Sequence, residues 1–358
     1  MQRLWAYYPV KTFHHLGGKG SEQMEMAGRL SRSDCAEPGI QRRRCGRGFA
    51  YRDAFGDRVT GEETLQRIRE LAIPPAWREV WICTNPLGHI QATGIDAAGR
   101  KQYLYHERWQ RRAAQRKFEA MREFAASLPR LHKAVKRDLV HDGVPKERAL
   151  ACAVRLIDLG LFRVGGEEYA DANGSFGVAT IRREHVVHSN GELLFDFPAK
   201  SGQRRVQSVR DAVVLRAVEA MRRRRSGPED LIVFRENGAW HDVRSDDVNA
   251  YIQEKIGEEF SAKDFRTWHG TVLAATELAE TAKPKSRGAA EREIKAAVKA
   301  VAAALGNTPA VCRASYIDPR VFERFREGST IELPAMRNGN LSQKARAGIE
   351  RAVLELVS

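Results

Sequence analysis

Cysteine is scarce in this chain. The five present among 358 residues, Cys35, Cys45, Cys83, Cys152 and Cys312, form an odd set without a C-x-x-C pair. That argues against a disulfide framework and a zinc ribbon, and makes a reducing cytosol the default setting. No apolar run approaches the roughly 20 residues that cross a bilayer. The N-terminus also lacks the apolar stretch of a secretory signal. A soluble cytoplasmic protein with no membrane partner is expected. Equally missing are G-x-x-x-x-G-K-[ST], the loop of nucleotide-driven motors, H-E-x-x-H, and any Asp/Glu cluster at metal-ligand spacing. No cofactor and no metal are expected, and no internal repeat is visible.

What is abundant is positive charge. Lys and Arg number 60 against 46 Asp and Glu, a formal net charge of +14. Such an excess points to a polyanionic partner, of which nucleic acid is the commonest; a solvated basic surface is the bland alternative. Hydrophobic residues make up 42% of the chain, enough for a packed core. The length suits two domains.

Residues 1–28 show neither the helical nor the strand period and read as a poorly ordered leader that includes His14-His15. From Glu37, arginine and glycine punctuated by aromatics fit short strands and turns near phosphates. Glu62 to Leu71 has helical spacing and stops at Pro74-Pro75. Three strands follow at Val80–Cys83, His89–Gly94 and Lys101–Tyr105, separated by Asn85-Pro86-Leu87-Gly88 and Asp96-Ala97-Ala98-Gly99. After Trp109 the text turns helical, so the chain divides into a β-rich domain over 29–107 and a mainly helical one over 108–358. Helices are predicted at Glu107–Ser127, from Pro129, from Lys146 to about Leu159, and at Val209–Arg225, Ser245–Gly257, Phe265–Ala282, Ala289–Leu305, Pro319–Arg326 and Ser342–Val357. One β interruption is predicted, Glu184–His188 and Glu192–Phe197 around Ser189-Asn190-Gly191. Lys200-Ser201-Gly202 then turns into Arg204–Val209. His185 and His188 lie three apart on a strand and face opposite ways, which disfavours a metal pair.

With no metal motif, work on a phosphodiester would need charge neutralisation from side chains. Arg163 in Leu161-Phe162-Arg163-Val164-Gly165-Gly166 and Arg266 in Lys263-Asp264-Phe265-Arg266-Thr267-Trp268 are candidates, since a guanidinium offers paired donors to phosphate oxygens and stays charged. Taken singly, each reads first as a helix-surface arginine, as most arginines of this chain do. Tyr316, with Asn307 nine residues upstream, reads either as a nucleophile or as a packing aromatic.

The ordered set of motifs resembles the type IB DNA topoisomerases, in particular their compact poxvirus-like and bacterial branch. The resemblance runs from about Glu37 to near the C-terminus. It rests on Ile73-Pro74-Pro75-Ala76-Trp77, Gly88-His89-Ile90-Gln91-Ala92-Thr93-Gly94-Ile95-Asp96 and Gly99-Arg100-Lys101-Gln102-Tyr103-Leu104-Tyr105-His106. Later in the chain it rests on the Arg163 and Arg266 segments, the hairpin ending at Lys200, and the stretch from Asn307 to Tyr316. The resemblance implies an α+β protein: a small antiparallel sheet domain, then a larger helical catalytic domain with a β-hairpin insertion, together clamping duplex DNA. It implies Tyr316 as nucleophile, leaving a 3′-phosphotyrosine and a free 5′ hydroxyl. Arg163 and Arg266 would stabilise the pentacoordinate phosphorus, and Lys200 would protonate the departing 5′ oxygen. Asn307 stands where poxvirus members have histidine, offering an uncharged hydrogen bond. Ser201 replaces an acidic residue of those members and Gly166 a lysine, which puts their sequence specificity in doubt here. DNA contacts are implied for Arg100, Gln102, Tyr103, Tyr105, Tyr169, Ser201 and Lys263, with Arg100 and Gln102 on one face of their strand and the two tyrosines on the other.

The resemblance implies relaxation of supercoils of either sign without ATP or metal, by a nucleoid-associated monomer. A tyrosine recombinase is the alternative, but recombinases carry histidine where this chain has Lys263, three residues before the second arginine. A non-catalytic basic DNA-binding protein would leave the ordered motifs unexplained.

Overall fold

The structure is a computed structural model that describes residues 28–167, 170, 174–281, 283–334 and 343–358. The leader, apart from Gly28, lies outside the described residues, as do Tyr169 and the expected cap Ser342. The chain forms two compact units, one ending at Lys117 and the other running from Phe118 to Ser358.

The first unit is a five-stranded antiparallel sheet with order β2-β1-β3-β4-β5. Its strands are β1 (Ile40–Cys45), β2 (Gly48–Arg52), β3 (Arg78–Ile82), β4 (Ile90–Ile95) and β5 (Lys101–Tyr105). The expected strands are all present. Helix α1 (Glu62–Glu70) opens with Glu62 and Glu63 and closes with Arg67 and Arg69, so charge complements its dipole at both ends. Its one fully buried residue, Ile68, joins Ile40, Val80, Ile82 and Ala92 in a small core. The turn before β4 is held by Gln91, which is 3% exposed. Its Nε2 donates to the Gly88 and Pro86 carbonyls at 2.7 and 3.1 Å, and its Oε1 accepts from Arg67 at 2.6 Å.

Helix α2 (Glu107–Asp138) is one continuous helix with Pro129 inside it. Pro129 was expected to start a new helix, and it does not. Phe118, Met121, Phe124, Leu128, Leu131 and Val135 keep one buried stripe at three- and four-residue spacing across the proline, while Pro129 itself faces solvent. Burying that stripe outweighs the roughly 3 kcal/mol an internal proline costs.

The rest of the second unit is built round α3 (Lys146–Gly160), buried on nearly all sides from Ala149 to Ile157. Against it pack α4 (Ala212–Arg222), α5 (Ser245–Ile256), α6 (Ala262–Ala279) and strand β8 (Arg204–Val209). β8 belongs to a three-stranded antiparallel sheet with β6 (Val186–Ser189) and β7 (Glu192–Pro198). Asn190 and Gly191, at φ 52° and 75°, make the left-handed turn that their sequence announces. Val209 lies in β8, so the helix expected from Val209 starts only at Ala212, capped by the Asp211 side chain. A second hairpin, β9 (Val233–Glu236) and β10 (Ala239–Asp242), corrects the expectation of a single β interruption. Its Asn237-Gly238 turn, at φ 49° and 82°, is a hairpin signal that sequence reasoning passed over. Then come α7 (Arg287–Leu305), a short α8 (Pro309–Ser315) that was not expected, α9 (Pro319–Arg326) and α10 (Gln343–Leu356).

One buried charge ties several of these helices. Asp158 of α3 accepts from Arg155 at 2.9 Å and Arg346 of α10 at 2.7 Å, with His132 of α2 and His269 of α6 at 3.4 and 3.3 Å. Arg346 and the two histidines hold its carboxyl well below the usual carboxylate range despite complete burial. No described helix is long and apolar enough to cross a membrane.

Candidate active site

The C-terminal turn of α7 is where the candidate residues of the second unit meet. Ser286 caps the start of this helix, and Gly306, at φ 59°, ends it in the left-handed conformation. The last carbonyls of a helix have no intrahelical donor and carry the negative end of its dipole. Here three guanidiniums supply the donors. Arg205 Nη2 donates to the Ala304 carbonyl at 3.0 Å, Arg266 Nη2 to Leu305 at 2.6 Å, and Arg163 Nη2 to Gly306 at 3.2 Å.

Each arrives from a different element. Leu161 ends α3 at φ 55° and turns the chain, and Phe162 is buried against the rings of Phe195 and Phe197, 5.0 and 5.9 Å away. That anchor delivers Arg163, whose Nη2 also donates to Asn307 Oδ1 at 2.8 Å. The other half of the amide, Asn307 Nδ2, is buried, and the Asn307 side chain also hydrogen-bonds the Cys312 thiol. Arg266 of α6 is only 4% exposed and donates from Nη1 to the Leu161 carbonyl at 3.0 Å. Burial and the neighbouring Arg163 pull it down to about 10, so it remains a cation at neutral pH.

Tyr316 follows the last residue of α8. Thr308 caps that helix and Pro309 opens it, so the chain is committed to one short turn before Tyr316 leaves it at φ −127°, ψ −5°. The Arg266 guanidinium lies over the Tyr316 ring, 5.5 Å from its centroid, and hydrogen-bonds to its side chain. Gly270, one turn on from Arg266, makes room: a Cβ there would stand 2.4 Å from the Tyr316 carbonyl oxygen. Cys312, the nearby thiol, is pushed up to about 11 by burial and is no rival nucleophile at neutral pH.

Lys200 sits in the tight turn Lys200–Gly202 between β7 and β8, closed by Ala199 N–H on the Gln203 carbonyl at 2.8 Å. Its side chain is exposed, yet partial desolvation and the charge of Arg266 lower its ammonium below the ordinary lysine range. Lys200, Arg163, Arg205, Arg266 and Gly306 line one open cleft of about 210 Å³. None of the described residues lining it is acidic. Cations gathered round an open cleft suit a phosphodiester, because its oxygens can take charge-assisted hydrogen bonds from them.

Of the remaining candidates, Lys263 is exposed at the second residue of α6, one turn before Arg266. Ser201 lies in the turn with Lys200. In the first unit, Arg100 and Gln102 both donate to Asp96 Oδ2, at 3.0 and 2.9 Å, on one face of β5. The Tyr103 and Tyr105 rings stack 6.1 Å apart. Sequence reasoning missed Arg205. The signal was the alternation along β8, which turns Arg205, Gln207 and Val209 inward and Arg204, Val206 and Ser208 outward.

Residues 106–332 match the family model described as the catalytic core of eukaryotic DNA topoisomerase I, and residues 48–96 match that of the N-terminal domain of bacterial DNA topoisomerase IB. The chain is 34% identical over 294 residues to DNA topoisomerase 1B of Acanthamoeba polyphaga mimivirus, covering 80% of this chain and 88% of that one. To DNA topoisomerase 1 of Candidozyma auris it is 27% identical over 158 residues, which span 44% of this chain and 20% of the yeast protein.

Proposed function

Because the chain belongs to the type IB DNA topoisomerase family, we propose that it relaxes supercoiled duplex DNA of either sign by nicking and resealing one strand. Tyr316 Oη attacks the scissile phosphorus, forming a 3′-phosphotyrosine bond as the P–O5′ bond breaks. The phenol proton passes to water, and Lys200 delivers a proton to the departing 5′ oxygen. Arg163 and Arg266 hold the non-bridging oxygens as charge builds on them. The buried amide of Asn307 supplies a neutral hydrogen bond to the same phosphate. The covalent link conserves the phosphodiester bond energy, so resealing needs no nucleotide. Both units contact the duplex, the first through Arg100 and the β5 residues Gln102, Tyr103 and Tyr105, the second through Tyr169, Ser201 and Lys263. The enzyme acts as a monomer on the nucleoid.

The observation that carries this reading is the meeting of Arg163, Arg266, Asn307 and Tyr316 at the end of α7, beside a cleft lined by cations and no carboxylate. Incubating supercoiled plasmid with the protein in EDTA tests it: relaxed topoisomers are expected, and folded protein that leaves the plasmid supercoiled overturns it. Tyr316→Phe is expected to bind DNA as before and to form no adduct that survives denaturant. An adduct that persists in that variant assigns the nucleophile elsewhere.

A further inference from the structure

Arg205 is the third guanidinium on the α7 terminus. Its Nη2 reaches the Ala304 carbonyl at 3.0 Å, Gln207 Oε1 at 3.2 Å and the Gly160 carbonyl, the last of α3, at 3.4 Å. It therefore joins β8 to the ends of two helices. Its Nε is buried without a partner, and its pKa is lowered by burial and by Arg163. A Cβ on Gly306 would come within 3.3 Å of Nη1, so the glycine that ends α7 also leaves the space this guanidinium fills. Five residues before Arg205, across the turn closed by Ala199 and Gln203, stands Lys200.

A two-stranded connection is free to swing unless something fixes its tip. Phe195 and Phe197 anchor β7 against Phe162, and Arg205 pins the returning strand on three consecutive carbonyls' worth of helix end that also holds Arg163 and Arg266. Arg204, its neighbour, is exposed, pairs with Asp196 and lines the same cleft without reaching the α7 carbonyls. We propose that Arg205 is a positioning residue for Lys200: by clamping β8 to the carbonyl of Ala304, it places the proton donor in register with the two phosphate-binding arginines. This rests on Lys200 being the donor to the 5′ oxygen. In that step the bond from Tyr316 Oη to phosphorus forms, the P–O5′ bond breaks, and O5′ takes its proton from Lys200 Nζ.

The test uses the full-length protein and a duplex with a mapped cleavage site, made with oxygen or with sulfur at the 5′ bridging position. A thiol, with a pKa of ~8.5 for cysteine, leaves as the thiolate and needs no proton donor. For Arg205→Gln, single-turnover cleavage of the oxygen substrate is expected to slow by about 10- to 100-fold, the scale of a misplaced catalytic group. The sulfur substrate should be cut within about threefold of the unaltered protein, since protonation no longer limits it. Equal slowing on both substrates overturns the inference and makes Arg205 a phosphate contact or a purely structural residue; no slowing on either also overturns it. Lys200→Ala serves as the reference: if sulfur fails to restore its rate, the donor assignment itself falls, whatever Arg205 does. Should Arg205→Gln not fold, Arg205→Lys, which keeps charge and one donor, is expected to show the same split between substrates in smaller size. Its absence in that variant counts against the proposal in the same way.

Discussion

At the scale of single residues, the proposed reaction divides its labour between groups that hold charge and one that moves a proton. Arg163 and Asn307 act as a bonded pair at 2.8 Å, so their losses should not add. Removing one transition-state donor costs about 10²–10³ in rate. Arg163→Ala and Asn307→Ala should each fall near that range, and the double variant should be well short of the product. Single-turnover adduct formation on a linear duplex measures all three. As the proposed proton donor, Lys200 is expected to set the pH dependence. A donor must be protonated, and desolvation with Arg266 nearby lowers this ammonium. Cleavage should therefore decline as pH rises, at a pH below the ~10.4 of a free lysine, and Lys200→Ala should lose that limb of the profile. A decline that survives the substitution would place the titrating group elsewhere. Arg163, Arg266, Lys200 and Tyr316 were legible as candidates because charge, an aromatic nucleophile and the family pattern are local properties. Arg205 was not, since only the packing of β8 on α7 separates it from the many surface arginines.

The elements impose their own conditions. On α6, Arg266 and Gly270 share a face, and the missing Cβ at 270 is what lets the Tyr316 backbone lie against the helix. The clash at 2.4 Å in Gly270→Ala is with backbone, which cannot rotate away. Overpacking of this kind costs about 1–3 kcal/mol, and a displaced nucleophile costs up to about 100-fold in rate. We expect slower adduct formation with DNA affinity retained, measured by gel shift beside the cleavage assay; unchanged cleavage would show that α8 has slack. On α2, Pro129 faces solvent inside a continuous helix. Pro129→Ala should restore one backbone hydrogen bond and raise stability by up to about 3 kcal/mol. Denaturant unfolding reads this directly, and a lower midpoint would mean the proline serves the fold. Sequence signals located most elements because Asn-Gly turns, caps and apolar spacing act over a few residues. Pro129 misled because the stripe from Phe118 to Val135 is buried by partners distant in sequence.

At the scale of the whole molecule, Asp158 ties together helices of the second unit, and charge is expected to govern DNA affinity. Asp158→Asn would remove the buried carboxylate that Arg155 and Arg346 share, leaving them only Asp211 and Glu350 as partners, a loss of up to about 3–5 kcal/mol for a broken buried pair. The acid limb follows from the shifts. His269 has its pKa lowered by burial, so stability falls as pH drops below the unfolded value of ~6.5, because the unfolded chain takes up the proton first. Asp158 is also depressed; its contribution is intact above ~3.9 and is lost as pH falls further towards its folded value. Chemical denaturation between pH 7 and 4 should show the first loss in the intact protein, and an Asp158→Asn midpoint equal to it would refute the role given to the network. DNA affinity should fall steeply with salt, by a log–log slope of about −0.9 for each phosphate neutralised. Net charge, the two-part β-then-helix order, and the choice of Tyr316, Arg163, Lys200 and Arg266 as candidates came from the sequence alone, because composition, turn chemistry and motif order are written residue by residue. Only the tertiary structure decided that three arginines from three elements end on the carbonyls of Ala304, Leu305 and Gly306, since the spare acceptors of a helix end have no sequence pattern and exist only once α7 has formed.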